Sequence, residues 1–150
     1  MSYHGNSLRK CRYSETGRPY LITTVTHSRK PIFSHFDIAR LLIHELQTTS
    51  ENLMIESLAW VLMSDHLHWL FVLNRSTVSE VARRIKGASA HSINRYRNCS
   101  GPVWQKGFHD HAIRSGEDIK SVARYIIANP LRDGLVENIG DYPYWDTAWL

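Results

Sequence analysis

Residues 54–73 have the sequence MIESLAWVLMSDHLHWLFVL, in which two apolar runs flank the polar triplet Ser64-Asp65-His66. This pattern is typical of an antiparallel hairpin, with strands over residues 54–63 and 67–73. Successive side chains of a strand point to opposite faces, so His66 and His68 share one face. A single metal ion can bind both imidazoles there. Two ordinary strand histidines are the alternative interpretation.

The segments around this hairpin predict the rest of the fold. β-branched runs predict strands, Ser/Thr-x-x-Asp/Glu pairs predict helix starts, and a proline predicts a helix end. Strands are predicted over residues 20–26 and 103–114. Helices are predicted over residues 34–47, 77–97 and 115–128, and they start at Ser34, Thr77 and Ser115. Pro130 is predicted to end the last helix. The order β-α-β-β-α-β is that of an α+β, ferredoxin-like domain with an antiparallel sheet, here with an additional C-terminal helix.

The additional helix is predicted to cover the histidine side of the sheet, because residues 67–73 are apolar on both faces. Tyr125 and Asn129 lie one turn apart on the border of its apolar stripe, where both can reach the histidine pair. A phenol, with a pKa of about 10, is a poor nucleophile unless a cation polarises its electrophile. A tyrosine at a core edge and an asparagine ending a helix are the alternative.

A phosphodiester held on a divalent ion is such an electrophile, because the ion neutralises oxygen charge and aligns the phosphorus. His66, His68 and the amide oxygen of Asn129 would leave positions open for substrate oxygens. This mixed nitrogen and oxygen ligation favours Mg²⁺ or Mn²⁺, without excluding zinc or nickel.

The charge of the chain favours a polyanionic partner. Its 150 residues carry a net charge of +4, a pI near 9.2 and nine histidines. Aromatic residues near the basic stretches can stack on unpaired bases. The candidate DNA-binding residues are Arg9, Lys10, Arg12, Arg29, Lys30 and Arg83.

The remaining composition predicts a soluble cytoplasmic protein without a membrane span, because no apolar segment is long enough and the N-terminus has no apolar signal region. Cys11 and Cys99 lack metal-binding spacing and are expected to be free thiols.

Several stretches resemble one known family. They are RKPIF at residues 29–33, MSDHLH at 63–68, VWQKGFHDHAIR at 103–114 and ARYIIANPLRDGLV at 123–136. In this order they resemble the single-tyrosine transposases of the HUH superfamily, in particular the REP-associated tyrosine transposase branch. The resemblance implies one HUH transposase-like domain over residues 1–150, with a basic N-terminal segment and an aromatic C-terminal tail.

The resemblance also implies an activity and the residues that perform it. The family cleaves single-stranded DNA beside imperfect, REP-like hairpins, forms a 5′-phosphotyrosine, frees a 3′-hydroxyl and needs no nucleotide cofactor. His66 and His68 match its metal ligands, Asn129 the third ligand and Tyr125 the nucleophile. Lys86 matches a DNA contact near the site, although it can also be interpreted as a solvated helix lysine. Relatives are monomers or homodimers.

The sequence also allows different assignments of the site and of the function. His109 and His111 form a second pair, which we interpret as structural or DNA-positioning, and Tyr96 is a second tyrosine on a basic helix. A larger nicking enzyme of replication or conjugation is the enzymatic alternative. A non-catalytic, domesticated nucleic-acid-binding regulator with a ferredoxin-like fold is the alternative from another class.

Overall fold

The computed structural model describes residues 17–114 and 118–149, which form an antiparallel sheet and its covering helices. Arg9, Lys10, Cys11, Arg12 and Ser115 lie outside the described residues. The strands are β1 (Pro19–Val25), β2 (Glu56–Leu62), β3 (His66–Val72), β4 (His109–Ala112) and β5 (Trp145–Thr147). The α-helices are α1 (Phe36–Leu53), α2 (Val78–Arg97), α3 (Ile119–Ile127) and α4 (Asn129–Arg132), with short 3₁₀ turns at His27–Arg29, Ile32–Ser34 and Ile139–Asp141.

The sheet has the order β4-β1-β3-β2-β5, and its neighbouring strands are antiparallel. From β1 to β4 the chain follows β-α-β-β-α-β, so the predicted ferredoxin-like α+β class is confirmed. The edge strand β5 is an addition that the sequence did not predict. It pairs with β2 through Ala59, Trp60 and Val61.

Each face of the sheet has its own apolar layer. On one face α1 and α2 pack over Leu67, Trp69 and Phe71. On the other face α3 packs over Leu70, with Ala123 buried beneath it. The predicted covering of the histidine face by the additional helix is therefore confirmed, and β3 contributes to both layers.

Two of the predicted helix boundaries need correction. Ser34 does not cap α1: the helix begins at Phe36, with His35 at the N-cap and no side-chain cap bond. The helix also runs past residue 47 to Leu53. Thr49 is buried there, and the hydroxyl of Ser50 donates back to the Leu46 carbonyl within the helix, so these polar residues do not end it.

The second helix starts as predicted, because the Thr77 hydroxyl accepts the backbone N–H of Glu80 at 3.1 Å. The fourth strand is shorter than predicted. Trp104 makes only an isolated bridge to Thr26, and its buried indole N–H donates to Ser89 of α2 at 2.9 Å. The first part of residues 103–114 therefore packs on α2 instead of extending the sheet.

The additional helix ends just before Pro130, close to the predicted residue 128, but the chain continues into a second short helix that was not predicted. α3 ends at Ile127, and α4 starts at Asn129 after a single joint residue, Ala128. Pro130 occupies the first turn of α4, where its missing N–H has no helical acceptor to lose. Within the described ranges, no helix has the length and apolar character that would let it cross a membrane.

Candidate active site

The pairing of β3 sets the position of the two central histidines. His66 lies opposite Val25 and His68 opposite Thr23 on β1, so both imidazoles emerge on the face covered by α3. Their ring centroids are 4.8 Å apart and the ring planes meet at 79°. The adjacency that strand alternation predicts is therefore present.

Asp65 and Arg29 fix the position of the His66 ring through two successive contacts between polar side chains. Its Nδ1 lies 2.7 Å from Oδ1 of Asp65, and Nε of Arg29 donates to Oδ2 of Asp65 at 3.1 Å. Partial burial alone would raise the pKa of Asp65, but the hydrogen bond from His66 and the charges of His66 and Arg29 outweigh it and lower that pKa. An ionised carboxylate only accepts hydrogen bonds, so the ring of His66 turns an Nδ1–H toward Asp65, and in the neutral ring Nε2 holds the lone pair.

His68 is held in a comparable way by a neutral partner. Its Nδ1 lies 2.7 Å from the hydroxyl of Thr23 on the neighbouring strand. Burial, and after it the charges of His66 and Arg132, lowers the pKa of His68 to about 3. The ring is therefore neutral near pH 7, which is the form that binds a metal ion, and Nε2 is the nitrogen available to a ligand.

A cavity of about 780 Å³ between the sheet and the α3–α4 segment brings the other predicted residues to this face. His68, Tyr125 and Asn129 all line it, and His66 lies beside His68. Tyr125 is 67% exposed, so a large substrate can reach its phenol. The amide nitrogen of Asn129 donates to the Ile126 carbonyl at 2.7 Å, which leaves the amide oxygen for another partner.

Arg132 and His111 also line this cavity, and the sequence did not assign either of them to it. Arg132 lies with its guanidinium carbon 4.0 Å from the centroid of the Tyr125 ring. His111 belongs to β4 and pairs with Leu21 of β1, which turns it to the same sheet face as His68. In the predicted fold the strand with the second histidine pair lies at the edge of the same sheet, so the strand order could have indicated that His111 reaches this face. Nothing in the linear sequence indicated the contact of Arg132.

The predicted DNA-binding residues that the structure describes lie on both sides of the sheet. Arg29 contacts Asp65 near the histidine pair, and Lys30 is exposed beside it. Lys86 and Arg83 belong to α2, which covers the opposite face of the sheet. Nζ of Lys86 donates to the carbonyls of Gln105 and Gly107, each at 2.7 Å, so it is neither a solvated lysine nor next to the cavity of Tyr125.

The donor set has a mixed character. Among the described residues, His, Cys, Asp and Glu do not form a group of three or more that could hold a metal ion. A metal ion at the histidine pair would thus need a ligand of another type, and Asn129 lines the adjoining cavity. Histidine nitrogens and an amide oxygen are a suitable set for a divalent ion that keeps positions open for substrate.

A comparison with known protein families agrees with this fold and this arrangement of residues. The profile of the family described as "Transposase IS200 like" matches residues 16–129. The chain belongs to this family of IS200-like transposases.

Individual relatives agree with this assignment. A REP-associated tyrosine transposase of Escherichia coli K12 is 29% identical over 107 residues, which cover 70% of this chain and 62% of that protein. A solved structure of a REP-associated tyrosine transposase bound to a REP hairpin is 25% identical, with a TM-score of 0.77 over 97% of this chain and 82% of the other. A structure from Deinococcus radiodurans R1, 18% identical with a TM-score of 0.57 over 84% and 95% of the two chains, shares the fold. The resemblance seen in the sequence is therefore confirmed.

Proposed function

We propose that this protein cleaves and rejoins single-stranded DNA at hairpin-flanked sites, with Tyr125 as nucleophile and a Mg²⁺ or Mn²⁺ ion held by His66, His68 and Asn129. One observation carries the proposal: Tyr125, Asn129 and His68 line one cavity, with His66 next to His68. The REP hairpin bound by the solved relative supports hairpin-containing, REP-like DNA as the partner.

The residues present fit a divalent ion. Asp65 and Thr23 each contact Nδ1 of one histidine, which orients both rings and leaves both Nε2 atoms as ligands. The hydrogen bond from Asn129 to Ile126 fixes the amide so that its oxygen is the third candidate ligand. When bound, the ion would act as a Lewis acid that reduces the charge on the phosphate oxygens.

Tyr125 supplies the covalent step. Its phenolic oxygen attacks the phosphorus in line, the bond from phosphorus to the 3′ oxygen breaks, and a 5′-phosphotyrosine forms. The phenol loses its proton to solvent, and the departing 3′ oxygen takes up a proton to become a free hydroxyl. Attack by a 3′-hydroxyl on the phosphotyrosine reverses these bonds and joins the strands.

The exposed basic residues would hold the strand before the reaction. Arg29 and Lys30 lie at the histidine end of the sheet and are suited to contact phosphates there. Arg83 and Lys86 line a separate cavity of about 940 Å³ between α2 and residues 102–108. We propose them as contacts for a more distant part of the DNA, and assign Arg9, Lys10 and Arg12 to the same phosphate-binding role.

A covalent-adduct assay tests the function. The purified protein is incubated with Mn²⁺ and a pool of hairpin oligonucleotides that carry randomised single-stranded flanks and a 3′ label, and the products are separated under denaturing conditions. We expect a labelled protein adduct, because the fragment on the 3′ side of the cut stays attached to tyrosine. Sequencing the adduct DNA would give the target site.

The controls separate the nucleophile from other tyrosines. Tyr125→Phe and EDTA should each abolish the adduct. Tyr96→Phe should keep it, because Tyr96 donates to Asp37 of α1, a helix on the other side of the sheet. Tight binding of the pool by the wild-type protein with no adduct would refute the proposal and would favour the non-catalytic regulator.

A further inference from the structure

The guanidinium of Arg132 lies directly over the ring of the proposed nucleophile. The distance from its central carbon to the Tyr125 ring centroid is 4.0 Å, and Arg132 lines the same cavity as His68 and Asn129. The side chain reaches this position because the chain turns at Ala128 and begins α4 beside the end of α3. Arg132 is thus held at the site by the helix joint.

Arg132 presents an exposed positive charge at the site. Arg132 is exposed to solvent, and within residues 17–114 and 118–149 it forms no ion pair with a carboxylate. An uncompensated guanidinium beside a nucleophile is suited to bind an anion.

We propose that Arg132 is a further catalytic residue, which donates hydrogen bonds to a non-bridging oxygen of the scissile phosphate while Tyr125 attacks. This inference rests on the proposed function. A guanidinium lying over an aromatic face keeps the N–H groups at its edge available, so contact with the ring and contact with the phosphate are compatible. Arginine keeps its proton at physiological pH, so Arg132 acts by charge and by positioning, and not as an acid.

The test compares two substrates and four proteins. The substrates are the hairpin oligonucleotide that forms most adduct, once with a normal scissile phosphate and once with a methylphosphonate, in which a methyl group replaces a charged oxygen. The proteins are the wild type, Arg132→Ala, Arg132→Lys and the matched control Arg124→Ala. Arg124 belongs to α3, as Tyr125 does, but lines a different cavity, next to Trp145 and Trp149.

With the normal phosphate, we expect Arg132→Ala to slow adduct formation by about 100-fold or more, the size of effect seen when a preorganised donor to a developing oxyanion is lost. Arg132→Lys should recover part of the rate, and Arg124→Ala should retain it. With the methylphosphonate, the difference between wild type and Arg132→Ala should shrink to a few-fold, because the charge that Arg132 recognises is missing. A purely structural role would give the same loss on both substrates.

Two results would overturn the inference while the proposed function stands. One is an equal adduct rate for wild type and Arg132→Ala on the normal phosphate. The other is an equal fold loss on both substrates, which would make Arg132 a support for the Tyr125 ring only. If the wild-type protein forms no adduct with the normal phosphate, the proposed function fails, and this inference fails with it.

Discussion

Asp65 shows how a single side chain can prepare a ligand. It accepts a hydrogen bond from Nδ1 of His66 and one from Arg29, and the net effect of its surroundings lowers its pKa. The carboxylate is therefore ionised at neutral pH and fixes the tautomer of the histidine. Partners of this kind orient a metal-binding histidine and increase its basicity.

We predict that Asp65→Ala weakens Mn²⁺ binding by about 10- to 100-fold, because His66 loses the group that orients it. Asp65→Asn should have a smaller effect, since the amide oxygen can still accept the hydrogen bond from Nδ1. Isothermal titration with Mn²⁺ alone measures both variants. Glu56→Ala, which removes an exposed carboxylate from β2, is the matched control. Equal affinities for wild type and Asp65→Ala would show that His66 needs no such partner.

For individual residues, the sequence predicted correctly those positions that follow from the alternation of side chains along one strand. The shared face of His66 and His68 follows from the period of an extended chain and is present in the structure. The partners of Lys86 could not be predicted, because they are backbone carbonyls of Gln105 and Gly107 brought close by tertiary packing. The position of Arg132 depends on the joint at Ala128, which Pro130 in the sequence did not indicate.

Among the elements, the segment around β5 is held against β2 by additional hydrogen bonds as well as by strand pairing. The hydroxyl of Tyr142 donates to the Leu62 carbonyl, and the N–H of Leu62 donates to the Tyr144 carbonyl at 2.9 Å. Burial, and after it the charges of Tyr144 and Asp133, raises the pKa of Tyr142 to about 12. The phenol thus binds its proton more tightly in the folded protein than in the unfolded chain.

The sign of this shift predicts a dependence of stability on alkaline pH. The unfolded chain has the ordinary tyrosine pKa of 10.0, so the contribution of Tyr142 is complete below pH 10 and is lost as the pH rises to about 12. Tyr142→Phe should remove this contribution. Urea unfolding of both proteins between pH 8 and 12 measures the difference in free energy of unfolding. A difference that stays constant over this range would contradict the pKa of Tyr142.

The elements were predictable where a periodic pattern runs over many residues. The hairpin of β2 and β3 and the amphipathic helix α2 carry such patterns and were found. β5 has three residues, Trp145–Thr147, too few to show alternation, and it is held by the edge of β2 instead of its own propensity. The aromatic tail was visible in the sequence, but its pairing with β2 depends on a partner distant in the sequence.

For the molecule as a whole, β3 connects two apolar layers that share no helix. Leu42 of α1 is fully buried in one layer, and Ile126 of α3 is 2% exposed in the other. Because β3 contributes side chains to both layers, loss of either layer removes support from the same central strand. We therefore expect the two layers to unfold together.

This expectation predicts the behaviour of two core variants in urea. Leu42→Ala and Ile126→Ala should each lower the free energy of unfolding by about 2–5 kcal/mol and leave the dependence on urea unchanged. Circular dichroism and tryptophan fluorescence should give coincident transitions. Leu135→Ala, at a 57% exposed position, should change stability by less than about 0.5 kcal/mol. A separate early transition in Ile126→Ala would show that the α3 layer unfolds independently.

Because both faces of β3 pack against apolar layers, the register of this strand decides whether the histidine pair reaches its site. A strand slipped by one residue would bury both imidazoles in the apolar layer beneath α1 and α2 and turn the Trp69 indole toward α3, so such a misassembled form would be much less stable. The share of molecules with a correctly displayed histidine pair then equals the share that is folded. Specific activity and the folded fraction should therefore rise and fall in proportion from batch to batch.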